Sequence, residues 1–334
     1  MKITTFIPKQ GLEPRIGAVI GDQRMLDLTR AYALYLKDKD GEPRNTEIAA
    51  ALLPSSMLAF CDGLPQTLSR AETAISHTNT LTKKNDPRLK EILFSTKDIT
   101  FKAPIPRPRG FGIGYFNQKG TIEEASRIKK QQETGKKTEG IVMPIDYPKI
   151  AVISWSHPRC VIGHDEAIVF PKLSKSIFSS IELGLVIGKE AYKVPKEKAD
   201  DYILGYTVTT DITAFDLVQA ENFVFTVCRC KSMPTFWPTG PWIVTKDEIK
   251  DPMNLNGLTR INGKEAMKVT SRNYIFSPWD YVADVSKFMI LEAGTIIAMG
   301  GFTESTFTLP KPGDVLENEI EGIGILRNHV IAEE

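Results

Sequence analysis

From Pro148 onward the chain is a succession of short apolar runs, IAVISW, EAIVF, IELGLVIG, ILGYTVTTDI, PWIV, GTIIAMGG and GIGILRNHVI, separated by turn-forming residues. Runs of this length bounded by Gly, Pro and Asp read as strands of a buried sheet. Helical periodicity in this half is confined to Lys196–Asp201 and Pro278–Lys287. A doubly wound nucleotide-binding fold needs strands alternating with helices and a glycine-rich phosphate loop, and the sequence has neither. RINGKEAMKV carries Asn262-Gly263, a pair suited to a two-residue hairpin turn. The expected fold is strand-rich α+β.

The first hundred residues are patterned differently. Residues 2–7 read as a strand, and Arg15 to Leu28 as a hairpin turning at Gly21-Asp22. Helical spacing follows. Thr29 is placed to cap a helix over Arg30 to Leu36, Asn45 or Thr46 to cap another ending near Leu53, and Pro65 to open a third running to about Ser76. The polar stretch Thr78 to Lys90 leads into FKAPIPRPRGFG, whose prolines and glycines make an extended, semi-rigid connector. The expected organisation is an N-terminal α+β domain over 1–100, a connector over 101–110 and a larger domain over 111–334.

A chain of 334 residues can bury a large core. Its 42 Lys and Arg nearly cancel 41 Asp and Glu, so a formal charge of +1 offers no electrostatic basis for a nucleic-acid or anionic-membrane partner. MKITTFIPKQ lacks the apolar core of a signal peptide and no run approaches the ~20 residues of a membrane span, so a cytoplasmic chain is expected. Only four histidines and four cysteines are present, and Cys228-Arg229-Cys230 is spaced too tightly for a zinc knuckle or a redox pair. Metal chemistry in such a chain has to run on carboxylates.

Two carboxylates interrupt apolar strands: Glu182 in SSIELGLVIGK and Asp211 in GYTVTTDITAFD. A carboxylate at such a position is costly to bury unless it is paired or bound to a cation; the alternative is a solvated sheet end. Lys231 follows in CRCKSMPTFWPTGPWIV and is expected at a strand-to-loop junction, where by itself it reads as an exposed lysine. TIEEASRIKKQQETGKKTEG has helical composition and then a Gly/Lys loop, and reads either as a solvated helix or as a lid over a pocket.

Taken together, these segments resemble the fumarylacetoacetate hydrolase superfamily. The resemblance runs over nearly the whole chain: the DLT-to-helix passage, APIPRP, IELGLVIGKE, DYILGYTVTTDITAFDL, CKSMPTFWPTGPWIVTKDE, the RINGKE hairpin and PGDVLENEIEGIGILRNHV, in that order. It implies a mixed, strand-rich β-roll with a small N-terminal α+β domain, a Mg²⁺ or Mn²⁺ held by carboxylates at the mouth of the roll, and homodimers. It also implies C–C hydrolysis, decarboxylation, hydration or isomerisation of small 2-oxo and 1,3-diketo acids. In such a site a hard divalent ion and a lysine stabilise an enolate, and a His–carboxylate pair activates water. Matched residue by residue, Glu182 corresponds to the second glutamate of the E-x-E-L metal motif, Asp211 to the metal-binding aspartate of G-Y-x-x-x-x-D, and Lys231 to the site lysine. Tyr115 matches a family tyrosine.

The chain departs from the family pattern at several of these places. Ser180 replaces the first glutamate of E-x-E, GFGIGYFNQKGTIEE holds no histidine, and Ile113 replaces an aspartate that some members carry. Thr213-Ala214-Phe215-Asp216 stands where many members have S-A-R-D, Val218 where a glutamine is common, and Gly300-Gly301-Phe302 where a Gly-Thr motif occurs. Each change removes a charge or adds apolar or small surface, which favours a larger, less anionic ligand than a short keto-diacid. Glu182 and Asp211 are the expected metal ligands, for a weakly held or absent Mg²⁺ or Mn²⁺. Lys231 is the expected electrostatic anchor, Glu124 or Glu123 a replacement base, and Gln118 a group that orients water. Tyr115, Phe215, Asn222 and Gly301 are the expected substrate contacts, with Arg127 a candidate to recover the lost carboxylate contact. His157 and His164 read as turn histidines, and Phe215, Phe302 and Trp237 point to aromatic ligands.

The expected function is an enzyme of the hydrolase or lyase type acting on a small or mid-sized 2-oxo acid, β-diketone or related enolisable compound. Loss of the water-activating histidine favours a lyase or isomerase step over hydrolysis. A non-catalytic ligand-binding homologue, and a metal-independent isomerase, cyclase or lyase using Asp211 or Glu182 as base, are the alternatives.

Overall fold

The computed structural model describes residues 1–21, 24–115, 117–119, 150–220, 227–301 and 308–334. The chain opens with β1 (Lys2–Pro8), β2 (Arg15–Ile20) and β3 (Arg24–Asp27), then α1 (Leu28–Lys39), α2 (Asn45–Leu52), α3 (Met57–Asp62) and α4 (Gln66–Lys83), then β4 (Leu93–Ser95) and β5 (Ile99–Phe101). It continues through β6 (Phe111–Tyr115), β7 (Val152–Ser156), β8 (Val161–Ile162), β9 (Ala167–Phe170), β10 (Ile177–Ile187) and β11 (Ile203–Ala214), and then the short helices α5 (Phe215–Ala220) and α6 (Val227–Lys231). The remaining elements are β12 (Trp237–Thr245), the hairpin β13 (Asn256–Ile261) and β14 (Lys264–Thr270), α7 (Pro278–Ser286), β15 (Ile296–Gly301), β16 (Val315–Ile320) and β17 (Gly324–Ala332). The fold is strand-rich α+β.

Among the described residues the strands form two sheets. The larger runs β4-β3-β2-β1-β12-β11-β10-β15-β6-β7, with β5 on β1 and β8 on β12; the smaller runs β14-β13-β16-β17-β9. Both are mixed, since β15 pairs with β6 and β17 with β9 in parallel. Sheet continuity crosses the proline-rich connector, because β1 pairs antiparallel with β12. The connector itself is packed: Ala103 and Ile105 are buried, and the Thr5 hydroxyl donates to the Pro104 carbonyl at 2.8 Å.

Strands β10 and β11 lie at the centre and are buried on both faces, as their near-continuous apolar composition requires. Alternation divides their side chains. Ile181, Leu183, Leu185 and Ile187 pack with Tyr206 and Val208 into a core shared with Ile320 and Leu326 of the smaller sheet. Ser180 and Glu182 therefore point to the opposite face. Strand β16 has no apolar run, because VLENEI alternates: Leu316, Asn318 and Ile320 face inward and charged residues face out.

Several local expectations are corrected. Helix α1 is capped by Asp27, whose carboxylate accepts from Arg30 N, while the Thr29 hydroxyl donates to the Leu53 carbonyl at 2.8 Å. Asp27 also takes Arg15 at 3.1 Å, a tertiary contact with no sequence-local signal. Helix α4 runs past Ser76 to Lys83 because Ala71, Ala74, Thr78 and Leu81 continue one buried stripe through residues that look polar in sequence. Lys196–Tyr202 is a 3₁₀ helix. The helix expected from Pro278 forms, with a Ser277–Asp280 capping box. The Asn262-Gly263 turn carries φ of 53° and 74°, the left-handed values a two-residue hairpin turn demands.

Candidate functional site

The antiparallel register of β10 and β11 builds one row of facing side chains. Phe178 pairs with Thr213, Ser180 with Asp211 and Glu182 with Thr209, so Phe178, Ser180 and Glu182 share a face with Thr213 and Asp211. Lys231 reaches this row from the end of α6 rather than from the expected strand-to-loop junction; its five-residue helix is too short to leave a periodic sequence signal. Its ammonium donates to Asp211 Oδ2 and, at 2.5 Å, to Thr213 Oγ1, while Thr213 Oγ1 donates to Asp211 Oδ1 at 3.1 Å. Ser180, Glu182, Asp211 and Lys231 each expose 6% or less of their surface. Lys231 is thus a buried, paired cation, not an exposed one.

Glu182 is completed from β15. The β10–β15 ladder shifts register between Glu182 and Gly184, and in that irregularity Gly300 N–H donates to Glu182 Oε2 at 3.0 Å. Gly300 has φ of +90°, and a Cβ there would stand 3.2 Å from the Gly114 carbonyl oxygen, so the position needs glycine. Gly301 pairs directly with Glu182. Burial pushes the Glu182 carboxyl well above its ordinary range, and the neighbouring charge of Asp211 pushes the same way; Lys231 and the Gly300 N–H oppose them.

Aromatic side chains flank the ammonium. Lys231 Nζ lies 5.9 Å from the Tyr115 ring centroid and 5.3 Å from that of Phe178, within cation–π range. Phe215, directly after β11, packs edge-on to Phe178 at 5.5 Å. Tyr115 accepts from Ser154 Oγ at 3.0 Å, and burial raises its phenol above the ordinary value. Thr213 and Phe178 were not among the expected site residues; the period-2 spacing 178, 180, 182 is the signal that marks Phe178.

The structure brings Lys231, Glu182, Asp211, Tyr115, Phe215 and Gly301 together. Gln118 is buried, bridges Tyr274 through its backbone, and has no partner for either amide atom among the described residues. Tyr274 in turn donates to the Gly300 carbonyl at 3.0 Å. Glu123, Glu124, Arg127, Asn222 and Phe302 lie outside the described residues. Trp237 is corrected as a ligand contact: it is fully buried and its Nε1–H donates to the Lys231 carbonyl at 2.7 Å. All four histidines are accounted for elsewhere. His157 Nδ1 accepts from Arg159 N, His164 Nδ1 from Arg327 N, His77 pairs with Asp38, and His329 is exposed on β17.

The donor set suits a hard divalent cation. Among the described residues no group of three or more His, Cys, Asp or Glu side chains could hold a metal. Glu182 and Asp211 nevertheless share one face with the Ser180 hydroxyl, a buried oxygen that has no partner among the described residues. Two carboxylates and a hydroxyl form an all-oxygen set of the kind Mg²⁺ and Mn²⁺ accept, with water or substrate completing the shell.

A family model, fumarylacetoacetate (FAA) hydrolase C-terminal, matches residues 124–331. The chain belongs to the fumarylacetoacetate hydrolase family. It is similar to an uncharacterised protein of Archaeoglobus fulgidus, 42% identical over 193 residues that cover 58% of this chain and 73% of that one. It is similar also to oxaloacetate tautomerase YisK of Bacillus subtilis, 28% identical over 331 residues that cover 94% of this chain and 95% of the relative. Among solved structures, maleylpyruvate hydrolase from Sphingobium sp. SYK-6, in complex with manganese (II) ion and pyruvate, matches with a TM-score of 0.65 and 18% identity over 100% of both chains. That likeness is one of fold. Among the described residues no helix is long and apolar enough to cross a membrane.

Proposed function

We propose that this protein catalyses keto–enol tautomerisation of a 2-oxo acid, assisted by Mg²⁺ or Mn²⁺. The observation that carries the reading is the buried Lys231 ammonium held on Asp211 and Thr213 beside Glu182, a cation fixed where an enolate oxygen would develop negative charge. Similarity to an oxaloacetate tautomerase along nearly the full length of both chains supports it. The manganese and pyruvate bound by a structural neighbour of the same fold support the metal.

In this reading Glu182, Asp211 and Ser180 would hold the ion, which when bound would supply Lewis-acid stabilisation of the developing enolate. Asp211 and Thr213 fix the Lys231 ammonium in place, and Lys231 Nζ directs an N–H toward the enolate oxygen. Burial of the row excludes water and strengthens both interactions. Tyr115, Phe178 and Phe215 wall the substrate, and Gly301 leaves room for it beside Glu182. Glu124 is assigned the proton at carbon, and the unpartnered amide of Gln118 a polar group of substrate or water. None of the four histidines stands at Lys231 to activate water, which favours tautomerisation, or decarboxylation through the same enolate, over C–C hydrolysis. Homodimeric assembly belongs to the same proposal.

The test follows the decay of enol absorbance of freshly dissolved oxaloacetate, with and without Mn²⁺, alongside pyruvate formation. Catalysed enol loss that depends on Mn²⁺ and Lys231 is expected. No acceleration over buffer for oxaloacetate or for an aryl-substituted 2-oxo acid, with metal present, would remove the proposal.

A further inference from the structure

Lys231 is the last residue of α6. Carbonyls in the final turn of a helix lack intrahelical partners and, when buried, must find donors elsewhere. The Lys231 carbonyl takes the Trp237 indole N–H at 2.7 Å, with a longer contact of 3.4 Å from the Ser156 hydroxyl. The next carbonyl, of Ser232, takes the Cys160 thiol at 2.9 Å, and the Ser232 hydroxyl lies 2.9 Å from that of Ser156. Trp237 is itself immobilised, fully buried with its ring 4.6 Å from Phe111. The peptide that roots the lysine is therefore pinned by side chains from β7, β12 and the turn Pro158–Cys160.

A lysine side chain carries about 2 kcal/mol of rotamer entropy, so its ammonium is well placed only when both ends are held. Asp211 and Thr213 hold the head. We propose that Trp237 is a positioning residue: its indole N–H holds the backbone from which Lys231 reaches Asp211 and the reacting oxygen. Trp237 does not touch substrate, since its ring is sealed inside the fold. This inference rests on the role given to Lys231 under the proposed function.

The test replaces the donor without emptying the core. Trp237→Phe keeps an aromatic ring and removes the N–H; the benzothiophene analogue of tryptophan at the same position removes the N–H with the full bicyclic shape retained. Phe111→Leu disturbs the same packing and keeps the donor. Each is measured for kcat and KM with oxaloacetate and Mn²⁺, for thermal midpoint, and for the side-chain NMR resonance of Lys231, assigned by its disappearance in Lys231→Arg. Loss of the donor is expected to lower kcat by about 10- to 100-fold with KM changed less than about threefold, as misplacement of a catalytic group does. It should also move the Lys231 resonance toward those of exposed lysines, while Phe111→Leu lowers the midpoint and leaves kcat and the resonance near wild type. Donor-free variants that lose only thermal stability, or a Phe111→Leu variant that reproduces both changes, would overturn the proposal. If the wild-type protein does not act on oxaloacetate, the functional reading fails, and the NMR comparison still decides whether Trp237 positions Lys231.

Discussion

Ser180 stands directly opposite Asp211 in the β10–β11 ladder, and its buried hydroxyl has no hydrogen-bond partner among the described residues. An unpaired buried hydroxyl costs about 1–3 kcal/mol, so Ser180→Ala should leave the metal-free protein as stable as wild type or more so. Ser180→Glu adds a third carboxylate to the set and should tighten Mn²⁺ binding by about tenfold or more, since ligand charge count sets affinity at such sites. Calorimetric or EPR titration with Mn²⁺, with and without oxalate, measures this. Equal affinities for wild type and Ser180→Glu would take position 180 out of the ligand shell.

Lys231→Ala leaves Asp211 as a buried charge without its cation. Breaking such a pair costs about 3–5 kcal/mol, and turnover should fall by at least about 100-fold through loss of oxyanion stabilisation. Chemical denaturation and enol decay read the two effects separately. Retained turnover in a folded Lys231→Ala protein would remove the lysine from the chemistry.

The Glu182 carboxyl is raised well above its ordinary value near 4.5, chiefly by burial. Below that value both folded and unfolded chains hold the proton. Above it the unfolded chain ionises first, so the folded state binds more protons and stability falls as pH rises until folded Glu182 ionises. Glu182→Gln cannot ionise and can still accept from Gly300 N–H. In chelator-treated protein its thermal midpoint should exceed that of wild type at pH 8 and converge with it toward pH 4.5, the ordinary value. Parallel midpoint curves across that range would show that Glu182 ionises normally.

Phe215 stands where the family resemblance implies a carboxylate-binding arginine, and it packs against Phe178 beside the ammonium. Phe215→Arg should shift kcat/KM toward dicarboxylic over aryl-substituted 2-oxo acids by about tenfold, the worth of one charge-assisted pair. Competition between oxaloacetate and phenylpyruvate gives the ratio directly. An unchanged ratio would place the distal end of the substrate elsewhere.

Much of the fold is legible where local pattern decides it. Apolar runs mark the central strands, Asn262-Gly263 marks a hairpin, and Ser277-Pro278 opens α7. Legibility stops where the deciding partner is distant in sequence. Asp27 caps α1 in a buried position shared with Arg15, and α4 extends through Thr78 and Leu81 because a core waits for them. At the site, Glu182 and Asp211 are marked as carboxylates that interrupt apolar strands, Lys231 is marked only by the family resemblance, and the structure sets the three together. Phe178 is marked only by its period-2 spacing from Ser180 and Glu182, and Thr213 is an ordinary strand residue until the ladder register is known.

By itself the sequence determined the strand-rich class, the scarcity of histidine, and the two carboxylates that apolar strands must either pair or strand in a low dielectric. Tertiary structure alone decided that Lys231 is buried rather than exposed, that Gly300 turns its N–H onto Glu182, and that Trp237 serves the lysine backbone instead of a ligand. The physical reason is that period and propensity act over a few residues. Charge pairing, desolvation and the hydrogen bonds of helix ends are settled by whatever the rest of the chain brings within reach.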